Sequence, residues 1–407
     1  MRAEVIAIGD EITTGQRLDT NSQWLSRRLT EMGVTVAFHT TIGDELEDNI
    51  AAFRAAVSRA DIVVITGGLG PTADDLTREA LAAATGKKLV RDEPSLEHIR
   101  QLFESRGLTM PSRNEVQADF PAGSKPIPNP HGTAPGVELS VERSDQDPSR
   151  LFALPGVPAE MFEMWEATVA PRILQIQPLP RVIRHRRIKC FGVGESKLEA
   201  MLPDLIRRDR EPRVGITVSD ATITLRITAT EKDEQTCFSA MEPTVATIRQ
   251  SLGSLVFGEE DDELEDAVFH ALQANGLTVA VAEWATEGLV GKWLKRASGE
   301  SGVFLQGTVV NKIEQVHSSS NLAEPHSAET ATVLAENIRQ LASADIGLGI
   351  AAYPPQQQTA EAYVSISLAL PEKTRNLRVR CASHPSIMQT RTAKQALNAL
   401  RLALASQ

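Results

Sequence analysis

The sequence predicts an α/β protein that opens with a doubly wound parallel sheet. Three observations carry this. Strand-like and helix-like segments alternate from the N-terminus. The run Ile62-Val63-Val64-Ile65 is apolar throughout, as a central parallel strand must be. A glycine-rich turn, Thr66-Gly67-Gly68-Leu69-Gly70-Pro71-Thr72, follows that run directly.

The elements follow in order. Glu4 to Gly9 reads as a short buried strand. Asp19 is placed to cap a helix running to Met32, with Trp24, Leu25 and Leu29 on one face, and Gly33 stops it. Val34 to Ile42 is a second strand, Leu46 to Arg59 a helix, and Asp61 to Thr66 a third strand. A helix over Asp75 to Ala84 follows the glycine turn. The proline-bearing stretch Pro111 to Pro135 reads as loop, and Leu151 to Leu154 as a further strand ending at Pro155-Gly156-Val157-Pro158.

The pattern changes after about Pro178. Strands at Ile183–Cys190, Val214–Val218 and Thr222–Thr228, with helices near Glu195–Ile206 and Gln235–Leu252, make a small α+β unit. The acidic run Glu259 to Glu263 is a linker or a helix start. The remainder returns to α/β. Its strands are expected at Leu277–Ala282, Val303–Val310, Ile346–Ile350, Ala362–Leu370 and Leu377–Cys381, and its helices near Thr286–Arg296, Ala328–Leu341 and Thr392–Leu404. Pro354 to Gln358 reads as a polar loop. At 407 residues the chain exceeds one ordinary core, and three domains are expected, over 1–172, 180–258 and 262–407.

Composition removes several classes of function. A net charge of -11 argues against nucleic acid as a partner. No apolar run approaches membrane-spanning length. Glu4, Asp10 and Glu11 close behind Met1 do not read as a signal peptide, so a cytoplasmic location is expected. Cys190, Cys237 and Cys381 lie far apart and form no metal-binding spacing.

Parallel sheets bind ligands beyond the carboxyl ends of their strands. Here those ends carry Gly9-Asp10-Glu11, Gly43-Asp44-Glu45 and the glycine turn leading to Asp74-Asp75. If the strands are neighbours, these groups share one rim. Gly67, Gly68 and Gly70 let the backbone approach a ligand, and their N–H groups with the following helix start favour phosphate. Thr66 and Thr72 can add hydroxyls. Carboxylates beside phosphate suggest a divalent cation between them, or one carboxylate acting instead as general base. A second reading stays open, in which Asp75 caps its helix and Asp10 and Asp44 are solvated loop acids.

Ala7-Ile8-Gly9-Asp10-Glu11, Asp19-Thr20-Asn21-Ser22, Thr41-Ile42-Gly43-Asp44 and the turn Thr66 to Thr77 resemble the competence/damage-inducible CinA family. So do Asn129 to Gly136, Leu154 to Met161 and Phe191-Gly192-Val193-Gly194-Glu195-Ser196. The resemblance implies an N-terminal molybdopterin-binding-like domain, a KH-like middle domain and a CinA-type C-terminal domain. It implies metal-dependent (Mg, Mn or Co) cleavage of ADP-ribose or a related nucleotide diphosphate, a small-molecule nucleotide as partner, and a homodimer. The resemblance implies Asp44 and Asp75 as the catalytic acids; Asp10, Glu11 and Asp75 are then expected to bind the metal, and Asn21 and Thr133 to contact the ligand. The family's C-terminal domain deamidates nicotinamide mononucleotide through a serine in Ala-Glu-Ser-Cys-Thr-Gly-Gly. This sequence reads Ala282-Glu283-Trp284-Ala285-Thr286-Glu287-Gly288, so Trp284 stands at the nucleophile position and no deamidation is expected. The alternative is a non-catalytic nucleotide- or molybdopterin-binding scaffold.

Overall fold

The computed structural model describes residues 1–144, 146–177, 181–207, 209–312, 324–355, 362–381 and 384–405. Part of the polar stretch 354–358, and the expected boundary near residue 178, lie outside them. The chain forms two compact units, Met1–Arg184 with Thr230–Cys237, and His185–Ala229 with Phe238–Gln407.

In the first unit, β1 (Arg2–Ile8), α1 (Asp10–Thr13), α2 (Thr20–Glu31), β2 (Thr35–Ile42), α3 (Leu46–Arg59), β3 (Ile62–Thr66) and α4 (Thr77–Ala84) alternate. Then come β4 (Leu89–Arg91), α5 (Glu93–Ser105), a 3-10 turn over Ser112–Ala118, β5 (Asp119–Pro121) and β6 (Lys125–Ile127). The unit continues through β7 (Gly136–Arg143), β8 (Gln146–Leu154), α6 (Pro158–Met164) and α7 (Ala170–Ile176). The sheet order is β2-β1-β3-β8-β7-β6. β2, β1, β3 and β8 run parallel, and β7 and β6 add antiparallel edges.

Alternation along the strands makes two cores. Ile6, Val63, Ile65 and Leu151 pack with Phe53 of α3 and Leu81 of α4. Val5, Ile62, Val64 and Phe152 pack on the other face with Leu25 and Leu29 of α2 and Met161 and Met164 of α6. That is the doubly wound arrangement. The Asp19 side chain caps α2 by accepting from the Ser22 N–H at 2.9 Å.

Several expectations need correction. The stretch 111–135 is not simply loop, because it holds the 3-10 turn, β5 and β6. The helix after the glycine turn starts at Thr77 rather than Asp75. The Asp75 carboxylate is committed to the Thr72 backbone and hydroxyl, and Leu76 is the N-cap. The Glu195 helix ends at Met201, before Pro203, which disfavours helical backbone at the residue preceding it.

The second unit holds two sheets. β9 (Val182–Cys190), α8 (Glu195–Met201), β10 (Arg213–Ser219), β11 (Thr222–Glu231), α9 (Glu234–Leu252) and β12 (Val256–Glu259) build the first, in the order β10-β11-β9-β12. Glu263 then starts α10 (Leu264–Ala274) with a reciprocal capping box to Asp266, so the end of the acidic run is a helix start. β13 (Val279–Glu283), α11 (Leu289–Ser298), β14 (Phe304–Val309), α12 (Ala328–Leu341), β15 (Ile346–Ile350), β16 (Tyr363–Ala369), β17 (Thr374–Arg380) and α13 (Pro385–Leu404) follow. The second sheet is ordered β14-β13-β15-β16-β17, with β14, β13 and β15 parallel. No helix among the described residues is long and apolar enough to cross a membrane.

Candidate functional site

β2, β1 and β3 are adjacent and parallel, so their carboxyl ends share one rim. A cavity of about 570 Å³ opens there. Its size suits a nucleotide-sized ligand.

The glycine turn forms one wall. Gly67 (φ 109°) and Gly68 (φ 65°) take left-handed backbone that favours glycine. A Cβ at Gly68 would overlap the Thr77 hydroxyl, and one at Gly70 the Asp75 carboxylate. The Gly67 N–H donates to Leu154 O at 3.1 Å, so it is not available to a ligand. Among the described residues, the N–H groups of Gly68, Leu69 and Gly70 have no acceptor within the protein. They are the donors that an anion in the cavity would use.

Beneath the turn lies a buried cation that the sequence reading missed. Arg78, on the first turn of α4, is 3% exposed and donates to Leu69 O at 2.9 Å and Pro135 O at 3.1 Å. Burial pushes its pKa down to about 10, which leaves it charged at neutral pH. It ties the glycine turn to the 129–136 loop and places positive charge beside the turn. The apolar helical pattern around it hides it in the sequence. Its place directly after Leu76-Thr77 is the one available signal.

Asp10 and Asp44 latch two strand ends together. Asp44 Oδ2 accepts from the Asp10 N–H at 3.0 Å, and Asp10 Oδ1 accepts from the Asp44 N–H at 3.2 Å. Asp44 lines the cavity whereas Asp10 does not. Burial, with the negative charges of Asp10, Asp74 and Glu11, holds the Asp44 pKa above its ordinary value, partly offset by the Asp10 N–H. Asp75 Oδ2 accepts from the Thr72 N–H at 2.9 Å and from the Thr72 hydroxyl, and its Oδ1 has no hydrogen bond.

The cavity therefore brings together Glu11, Asn21, Asp44, Thr66, Gly67, Gly68, Gly70, Asp75 and Thr133. It does not bring in Asp10 or Thr72, because the latch holds one and Asp75 holds the other. Two further expectations change. The Thr66 hydroxyl donates to Pro155 O at 3.2 Å, and Asn21 Nδ2 donates to Thr66 Oγ1 at 3.1 Å and Gly156 O at 2.9 Å. Both side chains brace the wall instead of offering donors. Nor do Asp10, Glu11 and Asp75 form a metal cage. Among the described residues, no group of three or more His, Cys, Asp or Glu is arranged to hold an ion. Asp74 lies there as its place beside Asp75 indicated, whereas Glu160, Arg17 and Gln117 line the cavity without having been expected there.

Comparison with known proteins places this geometry. Residues 4–175 match the probable molybdopterin binding domain, 185–258 the damage-inducible protein CinA KH domain, and 261–404 the CinA C-terminal domain. A CinA-like protein of Frankia casuarinae is 36% identical, covering 100% of this chain and 96% of its own length. Another, of Dictyoglomus thermophilum, is 38% identical over 86% of this chain and 85% of its own.

The chain belongs to the CinA-like family.

Among solved structures, the protein CinA from Thermoplasma acidophilum is 34% identical, covering 42% of this chain and 98% of its own, with a TM-score of 0.39. In the CinA C-terminal domain, the turn after β13 is filled from within. Glu283, 1% exposed, accepts from the Thr286 hydroxyl at 2.6 Å and from the N–H groups of Val290 and Gly291 at 2.9 and 2.7 Å. Trp284 N–H donates to Ile350 O at 3.0 Å, and its side chain packs against a cluster that includes Ala280, Leu334 and Ile338. Trp284 is thus part of the packing between sheet and α12.

Proposed function

We propose that the N-terminal domain of this CinA-like chain binds a nucleotide diphosphate of the ADP-ribose class and hydrolyses its phosphoanhydride. The observation that carries the reading is the set of three N–H groups at Gly68, Leu69 and Gly70 without internal acceptors, in a carboxylate-lined cavity. Such a set binds phosphate through backbone dipoles. Leu18 and Val157, 81% and 52% exposed, also line the cavity and offer apolar surface to a nucleoside ring.

The donor set suits a hard cation only as one shared with the ligand. The protein supplies carboxylate oxygens but no three-residue cage, the mode in which magnesium uses one or two carboxylates and substrate phosphates. Glu11 and Asp44 would hold it. A bound Mg, Mn or Co ion would polarise a phosphoryl oxygen and acidify water. The remaining roles fall to this chain's own groups. The turn N–H groups hold phosphate, Arg78 fixes the turn, and Asp75, whose Oδ1 is unengaged, accepts the proton of the attacking water.

The test is ADP-ribose hydrolysis by the full chain with each metal, in the wild type and in Asp75→Asn. Asparagine can still accept from Thr72, so the turn survives while the base is removed. Equal rates would take Asp75 out of the mechanism. A second reading is binding without turnover, favoured by the engagement of Asp44 by the Asp10 N–H and of Asp75 by Thr72. Calorimetric binding of ADP-ribose with no product under any metal would establish it. For the C-terminal domain we propose no deamidase activity, because Trp284, half-buried against a core cluster, has no nucleophilic oxygen. Ammonia release from nicotinamide mononucleotide by the purified chain would overturn this.

A further inference from the structure

One cation in the cavity has no assigned part. Arg17 is the only basic residue among those lining it, beside the acids Glu11, Asp19, Asp44, Asp74, Asp75 and Glu160. Its guanidinium makes no ion pair or hydrogen bond among the described residues. An arginine amid so many carboxylates ordinarily pairs with one.

Here three of the nearby acids are held elsewhere. Asp19 caps α2, Glu160 accepts from Asn129 Nδ2 at 2.7 Å, and Asp75 closes the Thr72 turn. The Arg17 backbone is not loose, since its N–H donates to Glu11 O at 2.8 Å. Asn21, four residues on, ties this segment to the far wall at Gly156. A fixed backbone therefore presents an unpaired guanidinium to a cavity whose glycine turn already serves one phosphate.

Three backbone N–H groups suit one phosphate group. A second anionic group in this cavity would meet carboxylates on most sides, and among the described lining side chains Arg17 is the one that could neutralise it. We propose that Arg17 is a specificity-determining residue that binds a second anionic group of the ligand. It would select ligands with two linked phosphates over those with one. This rests on the nucleotide reading above and goes on to say which feature of the nucleotide is recognised.

The experiment is calorimetric titration of the full chain with Mg, using the α,β-methylene analogue of ADP-ribose and, separately, AMP. The two carry similar total charge near neutral pH, so the comparison isolates the second phosphate from overall charge. Arg17 is exposed and unpaired, so Arg17→Ala leaves the fold intact. Arg17→Ala should weaken the diphosphate analogue about tenfold or more and AMP less than twofold. Arg17→Lys should recover part of the loss, since lysine keeps the charge without the bidentate fork. Equal weakening of both ligands, or of neither, overturns the role of Arg17 while leaving the nucleotide reading standing. Failure of the wild type to bind either ligand overturns both.

Discussion

The two units each carry a parallel β-sheet strand that leads through a glycine-bearing turn into a helix, yet the turns are satisfied in opposite ways. After β3, the N–H groups of Gly68, Leu69 and Gly70 have no acceptor in the protein. After β13, the Glu283 carboxylate takes the Val290 and Gly291 N–H groups of α11 and the Thr286 hydroxyl, while Trp284 packs with the cluster under α12. A run of turn N–H groups can receive an anion only where the chain has not supplied its own acceptor. The turn after the strand is open in one unit and closed in the other, and the difference lies in one buried carboxylate, Glu283.

The sharpest way to break this comparison is chemical. Asp75→Asn should lower ADP-ribose hydrolysis by about 10²–10⁴-fold, the usual worth of a general base. Steady-state rates with ADP-ribose check it, and an unchanged kcat would take Asp75 out of the mechanism. The closed turn should show the reverse profile. Glu283→Ala leaves two buried N–H groups and a hydroxyl without their acceptor, which should destabilise the second unit by about 3 kcal/mol or more. Nucleotide affinity at the first unit should not move. Denaturant unfolding beside calorimetry separates the two, and a variant that lost nucleotide binding with its stability intact would contradict the assignment.

A smaller effect sharpens the same contrast with glycines. Gly68 (φ 65°) and Gly288 (φ 89°) both hold left-handed backbone. An alanine at either should cost about 1–2 kcal/mol from conformation alone. Only Gly68→Ala, whose Cβ meets the Thr77 hydroxyl, distorts free N–H groups, so only it should abolish nucleotide binding. Matched losses of stability with unmatched losses of binding are expected, and binding retained by Gly68→Ala would count against the cradle.

The parallel cores were legible because their pattern is dense. Leu46–Arg59, Ala328–Leu341 and Ile346–Ile350 have the bounds that periodicity and flanking residues indicate. The β7 strand and the first half of β8 were not. Glu138, Glu142, Arg143, Gln146 and Asp147 interrupt any apolar run, and antiparallel pairing at the sheet edge supplies what the pattern lacks. The glycine turn and the strand-end acids were visible as a convergence of ends. Which donors remain open was not, since Gly67 N–H, Thr66 Oγ1 and Thr72 Oγ1 are taken by partners that sequence does not reveal: Leu154, Pro155 and Asp75. Arg78 stayed hidden because a charge inside an apolar helix reads as exposed until its two carbonyl partners are seen.

At the other end of the strands the two units agree, which isolates the ligand rim as the place where they diverge. Asp61, before β3, accepts from the Arg2 N–H at 2.8 Å and from Arg143 at 2.8 Å. Asp345, before β15, accepts from the Thr278 N–H at 2.8 Å and hydroxyl at 2.7 Å. Burial acts to raise the Asp61 pKa, but Arg143 and the Arg2 N–H outweigh it and hold the carboxyl below its ordinary value of 3.8. The Thr278 hydroxyl and N–H do the same for Asp345. Since both folded pKa values are depressed, each group stabilises the fold above the unfolded value and loses that contribution as pH falls through the folded one. Asp61→Asn and Asp345→Asn should each cost about 1 kcal/mol or less at pH 7, given their partial exposure. Each variant should converge with the wild type in acid below pH 3.8. Urea midpoints across pH test this. A gap that widens as pH falls would mean that the carboxylates are not what ties the strand entries together.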